Sequence, residues 1–311
     1  MAQRHDKRKI ETPFYEEAGT RADPPSHLIT SKGNKWLKSF RAALSGTGPA
    51  EGEPIGVEGP KLVEEALRSG LEAEALLLSA SGECEMEKIL RAASESEAGI
   101  SRDRILKTSD KMFNSVAGTE APQGVAALFR QPLWGLEDVL RGRADSDGAF
   151  PGGAPLIIAL AGIQDPGNVG TILRSAEAFG ATGVVTTRGT ADPWSPKAVR
   201  ASAGSSLRLP VVRGIAAPIL LAQLKMHRIK IIAATRRRGN SAAADAASSY
   251  EDLRGPIAIF IGNEGAGLPA EVEHAADAAI SIPMNDAVES LNAAVAASLL
   301  LYEAARRRSM A

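Results

Sequence analysis

From Ser31 onward, short apolar runs alternate with segments whose apolar positions recur every three or four residues, and the two periods predict strands and helices in turn. Lys35–Leu44 reads as a basic amphipathic helix carrying Trp36, Leu37 and Phe40. Ile55–Glu58 reads as a strand, and the helix after it is punctuated by Pro60 at its first turn and Gly70 past its end. Strand Ala75–Leu78, helix Met86–Ala93, strand Arg104–Lys107, helix Lys111–Ala117 and strand Gly124–Phe129 follow. Together they predict an α/β unit.

A second series begins at strand Leu156–Leu160 and continues through helix Val169–Phe179, strand Gly183–Thr187, a helix near Pro196–Ala203 and strand Leu209–Val212. Helix Pro218–His227, strand Ile229–Ala234 and strand Ile257–Ile261 come next, the last wholly apolar as a central parallel strand should be. A short helix from Pro269, a strand Ala279–Ile282 and a long helix Leu291–Arg307 complete the series. Strands alternating with helices predict a mainly parallel sheet covered on both faces. The expected organisation is a flexible basic arm over 1–30, an N-terminal domain over 31–140, a linker over 141–154 and a C-terminal domain over 155–311. The linker text, RGRADSDGAFPGGA, concentrates Gly, Pro and Asp.

Length agrees with two domains, each large enough for its own core. The single cysteine, Cys84, excludes an intrachain disulfide and a Cys-built zinc site, pointing to a reducing compartment. The opening residues contain no apolar stretch of signal-peptide type, so a cytoplasmic location is expected. A net charge of −1 argues against a nucleic-acid partner only until it is divided by region. Residues 1–41 hold nine basic and five acidic side chains; residues 51–100 hold four basic and twelve acidic. The remainder is mildly basic and includes the clusters Arg236–Arg238 and Arg306–Arg308, read either as solubilising surface or as phosphate contacts.

Three segments of the second unit carry candidate chemistry. In DPGNVGTILR (165–174), Asn168 suits the cap of the following helix, Pro166 and Gly167 turn the chain, and Gly170 permits close backbone approach. Val169, Ile172, Leu173 and Ala176 share one face, and Arg174 points roughly 160° from its centre. Arg174 is therefore either an ordinary solvated arginine or a cation displayed where open α/β sheets bind ligands. The segment IGNEGAGLP (261–269) follows a strand but has neither the dinucleotide fingerprint nor the Lys-Ser/Thr pair of a P-loop. Glu264 within it would repel a phosphate, so the loop suits a positive or hydroxyl-rich ligand, or is a plain turn. In IPMNDAVESLN (282–292), Asp286 with Glu289 fits a capping box. Ser290 and Asn292 fall in the first turns of an otherwise apolar helix and need polar partners.

Together, DPGNVGTILRSAEAFGA, IGNEGAGLP and IPMNDAVESLNAAVAASLLLYE resemble, in content, order and spacing, the SpoU/TrmH family of RNA ribose 2′-O-methyltransferases within the SPOUT class. Residues 31–130, including VEGPKLVEEAL, look like the ribosomal-protein-like substrate-binding domain that this family often carries. The resemblance implies a C-terminal domain with a deep trefoil knot, a rare exception to the rule against threaded chains. It implies S-adenosylmethionine held by the backbone around Ile261, Gly262, Gly267, Ile282, Met284 and Leu291. It also implies a homodimer through the knotted domain, each active site drawing on both chains. Carried over by position, Arg174 is the expected catalytic residue, with Asn168, Glu264, Ser290 and Asn292 around donor and acceptor. The basic residues Lys32, Lys35, Lys38 and Arg41 are the expected RNA-binding surface. Large-subunit (23S-type) rRNA is the expected substrate and tRNA the alternative. A non-catalytic RNA-binding protein retaining the knot, and a nucleotide-dependent oxidoreductase, are the rival readings.

Overall fold

Two sheets organise the computed structural model, which describes residues 27–95, 100–141, 153–235, 253–285 and 287–309. The first contains β1 (His27–Ile29), β2 (Ile55–Glu58), β3 (Ala73–Ser79), β4 (Ile105–Thr108) and β5 (Val125–Phe129) in the order β1-β4-β3-β5-β2. β1, β4 and β3 run parallel, and β5 is antiparallel to both its neighbours. Four helices, α1 (Lys35–Ser45), α2 (Pro60–Arg68), α3 (Met86–Ser94) and α4 (Asp110–Asn114), cover it. Leu37, Phe40 and Leu44 of α1 and Phe113 of α4 are buried against Ala75, Leu77 and Leu128 on one face. Val63, Leu67 and Ile89 pack on the other. Each such Leu or Ile contributes about 1.5–3 kcal/mol relative to exposure.

The second sheet contains β6 (Leu156–Ala161), β7 (Gly183–Thr187), β8 (Val211–Ile215), β9 (Lys230–Ala234), β10 (Ile257–Gly262) and β11 (Ala278–Ile280). It is wholly parallel, in the order β11-β9-β10-β6-β7-β8. The chain moves outward from β6 to β7 and β8, then returns to the other side, so β6 and β10 meet at the topological switch point. Both strands are apolar on both faces because helices lie above and below. On one side Ile158 and Leu160 meet Val169, Ile172 and Leu173 of α6 (Pro166–Ala178) and Leu300 and Leu301 of α11 (Ala293–Ser309). On the other, Ile157 and Ala159 meet α5 (Leu136–Leu140), α9 (Ala217–Met226) and α10 (Ala270–Ala275). Two short helices, α7 (Pro196–Ala201) and α8 (Ser205–Arg208), pack beside α6.

Several expectations are corrected here. Residues 27–29, assigned to the arm, form an edge strand whose backbone pairs with Leu106–Thr108, a long-range pairing with no local signature. Helix α5 has no counterpart in the sequence reading, and Val139 and Leu140 bury themselves in the second core. Helix α6 begins at Pro166 with Asp165, not Asn168, as its cap; the Asp165 carboxylate accepts from Gly167 N at 3.1 Å. Helix α11 begins at Ala293, so Ser290 and Asn292 precede it, and Asn292 caps it by accepting from Ala294 N at 2.8 Å. Glu289 lies exposed outside the helix, while Asp286, its supposed partner, falls outside the described residues. So do Arg236–Arg238, most of the arm and most of the linker.

The cluster Arg306–Arg308 is engaged within the protein. Arg306 and Arg307 both pair with Glu303, at 2.8 and 2.7 Å, holding its carboxyl down at about 2. Arg308 donates to the carbonyls of Leu253, Ala154, Pro155 and Gly255, tying the end of α11 to the segments leading into β6 and β10. Burial lowers its pKa to about 10, so it remains charged at neutral pH.

Gly170 does permit close approach, but to protein: a Cβ there would lie 2.3 Å from Ala198 O and 2.7 Å from Ala201 Cβ of α7. Gly170→Ala should force the two helices apart and destabilise the protein by about 1–3 kcal/mol in urea denaturation. A loss under about 0.5 kcal/mol would mean the contact relaxes freely. Because Glu303 has a folded pKa below its ordinary 4.5, its ion pairs stabilise the fold above that value and lose their effect as pH falls toward about 2. Glu303→Gln should therefore lower the melting temperature modestly at pH 7, by no more than about 1 kcal/mol equivalent, and the gap from wild type should close toward pH 2.

Candidate active site at the switch point

The carboxyl ends of β6 and β10 release two of the three segments singled out in the sequence, and the third returns beside them ahead of α11. The loop after β10 closes on itself. Asn263 and Gly267 exchange backbone hydrogen bonds of 3.0 and 2.9 Å, with Gly267 at φ +75°. The Asn263 side chain accepts from Gly265 N and Ala266 N at 2.9 and 3.0 Å and donates to Gly162 O, at the end of β6, at 3.0 Å. Its amides are thus occupied, which explains why a glycine-rich loop here is no phosphate cradle. A Cβ at Gly262 would lie 2.5 Å from the Gly267 carbonyl, so glycine is needed for the loop to fold back. Asn263 escaped the sequence reading, although Asn two residues before Gly is a common side-chain-capped turn.

Freed from capping, Asn168 sits in the first turn of α6 and joins all three segments. Its Nδ2 donates to Glu264 Oε1 at 2.5 Å, and its Oδ1 accepts from Asn292 Nδ2 at 3.0 Å. Asn168 and Glu264 are half-buried and Asn292 is exposed. This line runs from the loop after β10, through the start of α6, to the start of α11. A second tie between the same helices, Ser175 Oγ to Ser298 Oγ at 2.7 Å, fixes their spacing one or two turns further on. Beside the site, Asp165 pairs with Lys197 at 2.6 Å, and that contact, then the Gly167 amide, holds the Asp165 carboxyl below the usual carboxylate range.

The other expected residues divide. Ile261 has its side chain in the core, so only its backbone faces the loop; Gly262 is half-buried where the strand emerges. Ile282, Met284 and Leu291 are half-buried along the returning segment. Their backbone amides and carbonyls make no hydrogen bond among the described residues. Such free backbone groups beside half-buried apolar side chains fit a group with a flat heteroaromatic edge, and so fit the S-adenosylmethionine implied by the resemblance. Ser290 is exposed and makes no hydrogen bond among the described residues. Arg174 is not brought to Asn168. Six residues on, it stands about 9 Å along α6 and about 120° round it, exposed and without an ion pair among the described residues.

In the N-terminal domain Lys32, Lys35 and Lys38 are exposed. Lys35 and Arg104 both lie over the Trp36 ring, 5.5 and 5.3 Å from its centre, and Arg41 donates to Ser115 O at 3.4 Å. Two of the four expected RNA contacts are thereby engaged with the protein itself.

A wholly parallel sheet with convergent polar side chains at its switch point, joined to a smaller mixed α/β domain, defines a two-domain α/β enzyme with its site where such sheets bind ligands. Residues 155–302 match the SpoU rRNA Methylase family, and residues 53–127 match the MRM3-like substrate binding domain. The 23S rRNA (guanosine(2553)-2′-O)-methyltransferase RlmP of Bacillus subtilis is 32% identical over 79% of this chain and 86% of its own length. A protein of Mycolicibacterium vanbaalenii named as a tRNA/rRNA methyltransferase is also 32% identical, over 94% of this chain and 90% of its own. The crystal structure of an AdoMet-bound rRNA methyltransferase from Sinorhizobium meliloti superposes with a TM-score of 0.72 at 28% identity, covering 90% of this chain and 98% of that one. The chain belongs to the SpoU rRNA methylase family; it is an RNA methyltransferase.

Asn292 has two separable jobs. Asn292→Ala should cost about 1 kcal/mol through loss of the helix cap. Asn292→Asp should recover most of that stability, because a carboxylate still accepts from Ala294 N, yet it offers no proton to Asn168 Oδ1. Denaturation paired with methyl-transfer rates checks this: equal rates for Asn292→Asp and wild type would remove the Asn168 contact from the site.

Proposed function

We propose that the protein methylates a ribose 2′-hydroxyl of large-subunit (23S-type) rRNA in the cytoplasm, using S-adenosylmethionine. The observation that carries this reading is the hydrogen-bonded line Asn292–Asn168–Glu264, which joins the three segments at the switch point. S-adenosylmethionine supplies an activated sulfonium methyl. The free backbone groups of Ile282, Met284 and Leu291, with the chain at Ile261, Gly262 and Gly267, would hold it. Knotting of this domain is part of the same reading.

The remaining work falls to the chain's own side chains. A ribose hydroxyl is a poor nucleophile at neutral pH, so it must be aligned and its proton loss eased. Asn168, locked between Glu264 and Asn292, orients the ribose; Glu264 holds the loop; Ser290 and Asn292 border the acceptor. A guanidinium scarcely deprotonates in proteins, so Arg174 acts as a cation, gripping the neighbouring phosphate and stabilising alkoxide charge as it develops. The proton passes to a phosphate oxygen or water.

Because Arg174 points away from Asn168 of its own chain, it serves the site of a second copy, and the working unit is a homodimer. Val295, Leu299 and Tyr302 support this: spaced i, i+4 and i+7 along α11, they form a half-exposed apolar stripe beside the switch point. The rRNA preference rests on the relation to RlmP and on the N-terminal domain.

Arg174→Ala should reduce methyl transfer at least about a hundredfold while leaving cofactor affinity, measured by isothermal titration, within about twofold. Equal loss of cofactor binding would overturn the assigned role. Mapping of ribose methylation in total RNA, with and without the gene, decides the substrate: a missing mark in tRNA instead of rRNA overturns the rRNA reading.

A further inference from the structure

Between the two domains lies an open cleft of about 690 Å³, bounded on one wall by the start of α2 and on the other by α6, α7 and α8. Beside Arg208, which is bonded to both walls, three cations line it: Lys61, Arg174 and Arg200. All three are exposed, and none makes a side-chain hydrogen bond or ion pair among the described residues. The carboxylates of the cleft are in the opposite condition. Glu177 accepts two hydrogen bonds of 2.8 Å from Arg208. Glu65, from the other domain, accepts from the same guanidinium at 3.1 Å. Glu58 is buried, accepting from Gly118 N at 2.7 Å and from the Thr119 hydroxyl. The carboxylates are thus all engaged within the protein, while the positive charge of Lys61, Arg174 and Arg200 remains directed at solvent.

We propose that this cleft seats the sugar-phosphate backbone of the RNA, with Lys61 and Arg200 contacting the phosphates that flank the nucleotide served by Arg174. The inference rests on the reading above for the role of Arg174. Unpaired cations facing water between two walls are what counterion release requires. Arg208, bonded to both walls, fixes their spacing without drawing on the three unpaired cations. The turn following Arg200 keeps the passage clear. Ala203 and Gly204 both adopt positive φ, +49° and +87°, and Ala203 presents only a methyl to the cleft. A non-glycine residue in that region is strained and persists where its surroundings impose it. Of the acidic residues in 51–100, those lining the cleft are Glu58 and Glu65, both already bonded within the protein.

The test is binding of 23S rRNA transcribed in vitro, by filter retention without cofactor, over about 50–300 mM KCl. The double variant Lys61→Gln/Arg200→Gln should bind about tenfold or more weakly at 100 mM, with the slope of log K against log salt reduced by roughly 1.5. Arg200→Lys should retain near-wild-type affinity, and in turnover the double variant should raise KM for RNA more than it lowers kcat. Melting temperatures near wild type would exclude unfolding as the cause. Affinity within twofold of wild type with an unchanged slope would overturn the proposal. So would the same loss arising instead from Lys32→Gln/Lys38→Gln, which would assign the grip to α1. A reduced slope in the double variant together with unmethylated 23S rRNA for the wild type would refute the proposed substrate while leaving the cleft intact.

Discussion

Parallel pairing of β6 with β10 is the constraint on which the site depends. The two strands are remote in sequence, yet Leu156–Ala161 and Ile257–Gly262 run in register along their whole length. Their carboxyl ends therefore release Asp165–Asn168 and Asn263–Gly267 side by side. Asn263 fastens the two ends through Gly162 O, and Asn168 reaches Glu264 across 96 residues of chain. A slip of one residue would turn every side chain of a strand to the other face. Because both faces are buried beneath helices, such a slip is costly on both sides, and the alignment of the polar line follows from the core.

Helix α6 translates that alignment into chemistry because its faces have different tasks. One packs Val169, Ile172 and Leu173 onto the sheet, and Gly170 lets α7 approach to backbone contact. Asn168 and Ser175, nearly in line along the axis, bind Asn292 and Ser298 and so hold α11. Arg174 faces the interdomain cleft. In the proposed function this separation of Arg174 from Asn168 on one helix is what calls for a second copy of the chain.

Arginines fasten the fold with distinct duties, two of them between the domains and one within the C-terminal domain. Arg208 bonds Glu65 and Glu177 from opposite walls. Arg213 bonds Asp192 and the Pro49 carbonyl and lies over Trp194. Arg308 gathers four carbonyls at the end of α11. By charge alone these are indistinguishable from Arg174 and Arg200, which remain unpaired among the described residues. Charge counting by region identified a basic remainder but could not separate cations used by the fold from those left for a ligand. Arg306–Arg308, readable in sequence as solubilising surface or as phosphate contacts, proved engaged within the protein, since i,i+3 and i,i+4 spacing brought Glu303 to two of the three.

By itself, the sequence determined the strand and helix alternation, the parallel C-terminal sheet and the three segments of the site, because apolar periodicity and turn residues are local signals. It also carried the family, since three segments in one order are far more specific than any single one. The tertiary structure alone decided what each polar residue does. Asn168 looked like a cap and became the hinge of the site; Asn292 looked like a site residue and became a cap as well; Asp165 took the capping role. His27–Ile29 became a strand only because β4 offered an open edge, and α5 formed over a core built by later residues. Such assignments depend on which distant group arrives within hydrogen-bonding reach, and that is set by the packing of the whole sheet.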